Sequence, residues 1–189
     1  ALRTVVRALV AVAVMAPCVA RATDWRASIQ AVGVVDGESR WMTPLTFGVT
    51  VGASEAFDRG ADLLAPPPPP GERHVEAYLH RPEDSPFYRR LNTDMRGEDT
   101  DEDSAWRWEV VVVNSTDAEW VLSWDVSGIP DEWGAARLVG ERDAVDMRET
   151  SSVPVPASGS HVYTITVSRD PVSELTQAVV TPAEQTPLD

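Results

Sequence analysis

Four tryptophans, Trp106, Trp108, Trp120 and Trp124, stand at alternate positions in two short runs, and that spacing constrains the fold more than any other feature of the chain. Trp106, Trp108, Val110 and Val112 make one apolar face with Arg107 and Glu109 opposite. Trp120, Leu122, Trp124 and Val126 make a second, with Glu119, Ser123 and Asp125 across from them. A period of two marks a half-buried strand, because successive side chains of extended backbone leave on opposite sides. The alternation returns in residues 161–167, and further strand candidates are residues 28–35, 45–51, 74–80, 136–140, 144–148 and 152–156. Gly, Pro, Asp or Asn separates most of these runs, and no segment after residue 22 carries a helical stripe. The pattern predicts an all-β domain, an antiparallel β-sandwich.

The two tryptophan runs are joined by Asn114-Ser115-Thr116-Asp117, a turn-rich connection that predicts a hairpin. Both apolar faces occupy even positions, so even must oppose even. A loop of residues 114–116 would set Val110 against Trp120 and Trp106 against Trp124. Asn114-Ser115-Thr116 is also a glycosylation sequon in form, and it is read as a turn.

Ahead of the strands, Arg3 and Arg7 form a basic start, residues 8–20 are uncharged and mostly apolar, and Ala20-Arg21-Ala22 offers a small-x-small cleavage site. That is the layout of a secretory signal. The apolar run is thirteen residues, short of the roughly twenty that span a bilayer, so a cleaved signal is expected and no membrane insertion after cleavage. The organisation expected is a signal at residues 1–22, a lead-in at 23–41, a β-sandwich at 42–169 and a C-terminal tail at 170–189. The destination is secreted, periplasmic or cell-surface. Cleavage would remove Cys18, the one cysteine, which excludes disulfides and thiol chemistry from the mature chain. All sixteen basic residues are arginine and the net charge is −14. A surface this acidic is unsuited to nucleic acid or anionic membrane, which need a concentrated basic face.

Residues 47–96 are the least ordinary stretch. Five prolines at positions 66–70 can be neither helix nor ladder strand, because each fixes φ and lacks an amide hydrogen; they predict a stiff polyproline spacer. Around them stand Phe47-Gly48, Phe57-Asp58, Gly60, Asp62, Tyr78, Pro82 and Asp94-x-Arg96, followed by Trp108 and Leu122-x-Trp124-Asp125. In that order these residues resemble a domain recurring in secreted and surface proteins of several bacterial lineages, often beside carboxy-terminal sorting modules or immunoglobulin-like sandwiches. The resemblance covers residues 42–168. It implies an immunoglobulin-like β-sandwich, and it implies no enzymatic activity.

Catalytic patterns are missing. The chain has no Gly-x-Ser-x-Gly elbow, no His-Glu-x-x-His, no phosphate-cradling glycine loop and no dinucleotide fingerprint. His74 and His80 share a strand candidate but lie too far apart along it to share a metal. The acidic run holding Asp99, Asp101 and Asp103 is the candidate calcium site, since clustered carboxylates in a loop outside the cell suit that ion; otherwise no cofactor is expected. It is not an EF-hand, because Ser104 and Val110 fall where glycine and the bidentate glutamate belong. Asp58 and Asp62 form a second acidic set, with Asp58 also suited to holding a turn. Trp133 and Trp41, in or beside expected loops, are the candidate binding residues, able to stack on sugar rings as flat platforms. The function expected is a non-enzymatic structural or interaction module whose partner is a protein or a cell-surface polysaccharide. A carbohydrate-binding module is the alternative, and a secreted hydrolase comes third.

Overall fold

The structure, a computed structural model, describes residues 24–35, 38–71, 73–98, 105–141 and 144–169. These residues are all β, with no helix among them. The strands are β1 (Trp25–Val35), β2 (Glu38–Trp41), β3 (Leu45–Val49), β4 (Leu63–Leu64), β5 (Val75–His80), β6 (Arg90–Arg96), β7 (Ala105–Asn114), β8 (Trp120–Asp125), β9 (Ala135–Val139), β10 (Ala144–Asp146), β11 (Ser152–Val155) and β12 (Gly159–Ser168). They form one mixed sheet in the order β10-β9-β12-β7-β5-β6-β3-β1-β8-β11, with β2 added to β1 and β4 to β6, and the sheet curls into a half-barrel.

The curl is visible in the core. Trp25 on β1 lies four places along the sheet from β7, yet its ring meets Trp106 at 6.0 Å and Trp108 at 5.7 Å edge to face. Phe47 on β3 reaches Trp108 at 5.2 Å. Such contacts can only be made across the interior, by halves of one sheet that face each other. Edge-to-face rings suit this arrangement, setting a positive ring edge on a negative face. Gly48 lets β1 and β3 approach: a Cβ there would stand 2.1 Å from the Trp25 carbonyl oxygen.

The expectation of a purely antiparallel sheet is corrected at one place. β3 and β6 run parallel, pairing Thr46 with Thr93 through Val49 with Arg96. Parallel neighbours need a long crossover, and this one passes through β4, the prolines and β5. All five prolines are exposed and link β4 to β5, as a spacer would. The segment set apart as a lead-in also differs: β1 is an interior strand bonded to β3 and β8, so the folded unit includes Trp25 onward.

The tryptophan runs keep their predicted inward faces but are not a hairpin. β7 pairs with β12 and β5, whereas β8 pairs with β1 and β11. Val110 lies opposite Tyr163 and Leu79, and Trp124 opposite Ile29. The connection is a corner between facing parts of the sheet. Asn114, fully buried, makes it: its side-chain amide donates to the Ala118 and Pro156 carbonyls, each at 2.9 Å, while its Oδ1 accepts from the Thr116 amide at 3.0 Å and hydroxyl at 2.7 Å. Every bonding position on that side chain is filled, which a buried amide requires. The sequon is therefore a turn, and its asparagine is closed to a glycan.

Candidate functional site

Of the residues that carry the resemblance, Asp62, Asp94, Arg96 and Trp108 meet at β6, where the polar run Arg90-Leu91-Asn92-Thr93-Asp94-Met95-Arg96 is mostly buried. Arg81, at the end of β5 and wholly buried, is the hub. Its Nη2 donates to Asp94 Oδ1 and its Nε to Asp94 Oδ2 at 3.2 Å, while Nη1 stands 3.3 Å from Asp62 Oδ2. Arg96 flanks Asp94 from the other side, with Nε 3.0 Å from Oδ1, and reaches out to Glu55 Oε2 at 2.8 Å. Trp108 ties the core to the cluster by donating its indole N–H to the Asp94 carbonyl at 3.2 Å.

The acids on the crossover play two different parts. Asp62, 2 % exposed, accepts the Met95 amide at 2.8 Å and the Asp58 amide at 2.9 Å. Burial nonetheless pushes its carboxyl above the usual aspartate range, outweighing those two amides and the Arg81 charge. Asp58 accepts the Ser54 amide at 2.6 Å, and that bond holds its carboxyl below the usual range. Burial works against the charge of Arg81, but Asp94, with help from Asp62 and Asp84, overrides it and raises the guanidinium's hold on its proton. A buried charge persists only with such pairing. The cluster is a strut that fastens the crossover and β5 to β6. Arg81 was not singled out from sequence, since a lone arginine between His80 and Pro82 belongs to no alternation.

A second feature lies where the curled sheet stops short of closure. β10 and β11 end the strand order and are linked by residues 147–151, yet they do not pair with each other. Between them runs a groove of about 540 Å³. Its apolar sides come from the inward positions Leu138, Val145 and Val153, its polar groups are His161 and Tyr163 on β12, and Glu119 and Glu141 stand at its margin. Asn114 sets one wall by holding Pro156, and Thr116 sets the next: its carbonyl accepts the amide of Ser158 at 3.1 Å and its hydroxyl at 3.3 Å. Ser158 thereby keeps φ at 56°, a left-handed conformation unusual for serine. Burial, with the Glu141 charge adding to it, pushes the Tyr163 phenol up. His161 Nε2 is enclosed without a hydrogen-bond partner.

Of the binding residues named from sequence, Trp133 is 4 % exposed and is corrected from platform to core. Its ring lies 4.0 Å from that of Trp106, and the Arg169 guanidinium covers it at 4.5 Å. The turn at Pro130-Asp131-Glu132 exists, but Arg148 donates to the Trp133 carbonyl at 2.9 Å and the loop folds its ring inward. Trp41, at the end of β2, pairs through its backbone with Val32 of β1, and its side chain lies outside the described residues. Asp99, Asp101 and Asp103, the calcium candidates, lie outside them as well. His74 bonds the Gly71 carbonyl at 2.9 Å and His80 the Glu109 carboxylate at 2.5 Å, so the two histidines have separate partners. Among the described residues no group of three or more His, Cys, Asp or Glu is placed to share a metal. Comparison with protein-family models, curated proteins and solved structures finds no match for this chain.

Proposed function

We propose that the mature chain is an exported, non-enzymatic β module that serves as a structural or interaction element in the periplasm, at the cell surface or outside the cell. The observation that carries this reading is the use made of its motif charges. Asp62, Asp94 and Arg96, acid and base residues of the kind a catalytic cleft would present, are instead buried and neutralised around Arg81. Charges committed to one another in the interior hold a frame together; they are not positioned to meet a substrate. The groove between β10 and β11 then offers a surface on that frame for a partner.

The sugar-binding alternative is weakened by the tryptophans. Trp25, Trp106, Trp108, Trp120, Trp124 and Trp133 are all buried, which leaves Trp41 as its candidate platform.

Two measurements test the reading. Expressed in a bacterium behind an added initiator methionine, the chain should leave the cytoplasm with Thr23 as its new terminus; uncleaved cytoplasmic protein would overturn the export half. The purified mature domain should pass insoluble glycans without retention. Saturable retention lost in Trp41→Ala would install the sugar-binding reading in its place.

A further inference from the structure

We propose that the groove between β10 and β11 is a binding site for a hydrophobic organic cation, an amine or guanidinium carried on an apolar body. This deepens the interaction-module reading and rests on it for biological sense, though binding in solution is measured independently of export.

The occupant cannot be an added β-strand. The Trp124 main-chain amide bonds the Ser151 carbonyl at 3.1 Å, which sets the register so that the main-chain groups of residues 151, 153 and 155 point at β8 and those of residues 152, 154 and 156 point toward the open edge. Two of those three edge-pointing residues, Pro154 and Pro156, have no amide hydrogen, and the Pro156 carbonyl is already taken by Asn114. Prolines placed this way block edge pairing. The opposite edge is no better. β10 has three residues, and the Asp146 carbonyl accepts the Thr150 amide at 3.0 Å and its hydroxyl at 2.7 Å. With its main-chain edges closed, the groove must be read through side chains.

Those side chains define the ligand. Leu138, Val145 and Val153 remove apolar surface from water, which favours a hydrocarbon or aryl body. Glu119 and Glu141 at the margin attract positive charge and repel anions, in a chain whose net charge is already −14. His161 and Tyr163 supply further polar surface among the lining residues.

The test is a nuclear magnetic resonance titration of the mature domain with phenethylamine, with 2-phenylethanol as the neutral counterpart of equal shape. Saturable shifts confined to the groove-lining residues are expected, with the alcohol bound about tenfold more weakly, as removal of one partly desolvated charge implies. Glu141→Gln should weaken the amine by a similar factor and leave the alcohol unchanged, while Val153→Trp should abolish both by filling the groove. Should Val153→Trp fail to fold, the exposed Glu141→Gln carries the comparison alone. No saturable shift at millimolar amine, equal binding of amine and alcohol, or full binding by Glu141→Gln would overturn the proposal.

Discussion

Arg81 shows how one residue can decide a region. Replacing it with Met removes Asp62's cation and leaves Asp94 with Arg96 alone, so a buried negative charge goes unpaired. Removing one partner from a buried pair costs about 3–5 kcal/mol, far more than an exposed pair is worth. Arg81→Met should therefore lower the urea midpoint strongly, whereas Arg73→Met, whose partner Asp117 is exposed, should hardly move it. A loss under about 1 kcal/mol at Arg81 would show that the cluster is not a strut. Its neighbours should titrate in opposite directions from the ordinary aspartate value of 3.8. Asp58's folded value is depressed, so its contribution to stability is present above 3.8 and is lost as pH falls through that lowered value. Asp62's is raised, so its contribution is present below 3.8 and is lost as pH rises through the raised value. Carboxyl-carbon resonances followed against pH check this. Midpoints on the same side of 3.8 would contradict the bonding described for the pair.

At the scale of elements, the alternating pattern located β1, β3, β5, β7, β8, β9, β10, β11 and β12 and gave the correct inward face of both tryptophan runs. It could not choose their neighbours. Parity brings even positions to the same interior whether two strands lie side by side or face each other around a corner, and Asn114, bonded to Pro156 forty-two residues on, selects the corner. β6 escaped the pattern because its buried positions include Thr93, Asp94 and Arg96, residues that read as solvent-facing until Arg81 and Asp62 are brought beside them. β4, two residues long, has no period to read. Trp133 failed for a related reason: its turn is legible, but the inward direction of its ring depends on Arg148, Arg169 and Trp106. That placement changes what substitution should do. Trp133→Ala should cost about 3–5 kcal/mol, in the same range as Trp108→Ala, since each deletes a large ring from a packed interior. Thermal unfolding of the two variants checks it; a near-neutral Trp133→Ala would return that ring to the surface.

The described residues form a half-barrel in a chain whose net charge is −14, and the two facts act together. A sheet that stops short of closure holds its ends by the turns around β11 and by core contacts across the interior, so any force that spreads the sheet works against that packing. Like-charge repulsion is such a force. At about 0.01 M salt the screening length is roughly 30 Å, comparable with a small domain, and at about 0.15 M it is near 8 Å. Repulsion among the excess carboxylates is then cut, while the buried pairs around Arg81 are screened much less. The repulsive part should win, and the melting temperature of the mature domain should rise by about 2–4 °C between those salt concentrations, the shift that roughly 1 kcal/mol produces at this size. Calcium at matched ionic strength should add nothing beyond magnesium, because screening does not distinguish the two ions. A falling melting temperature would mean that exposed ion pairs outweigh the repulsion, whereas a large saturable calcium shift abolished by Asp101→Ala would place a true site in the acidic run.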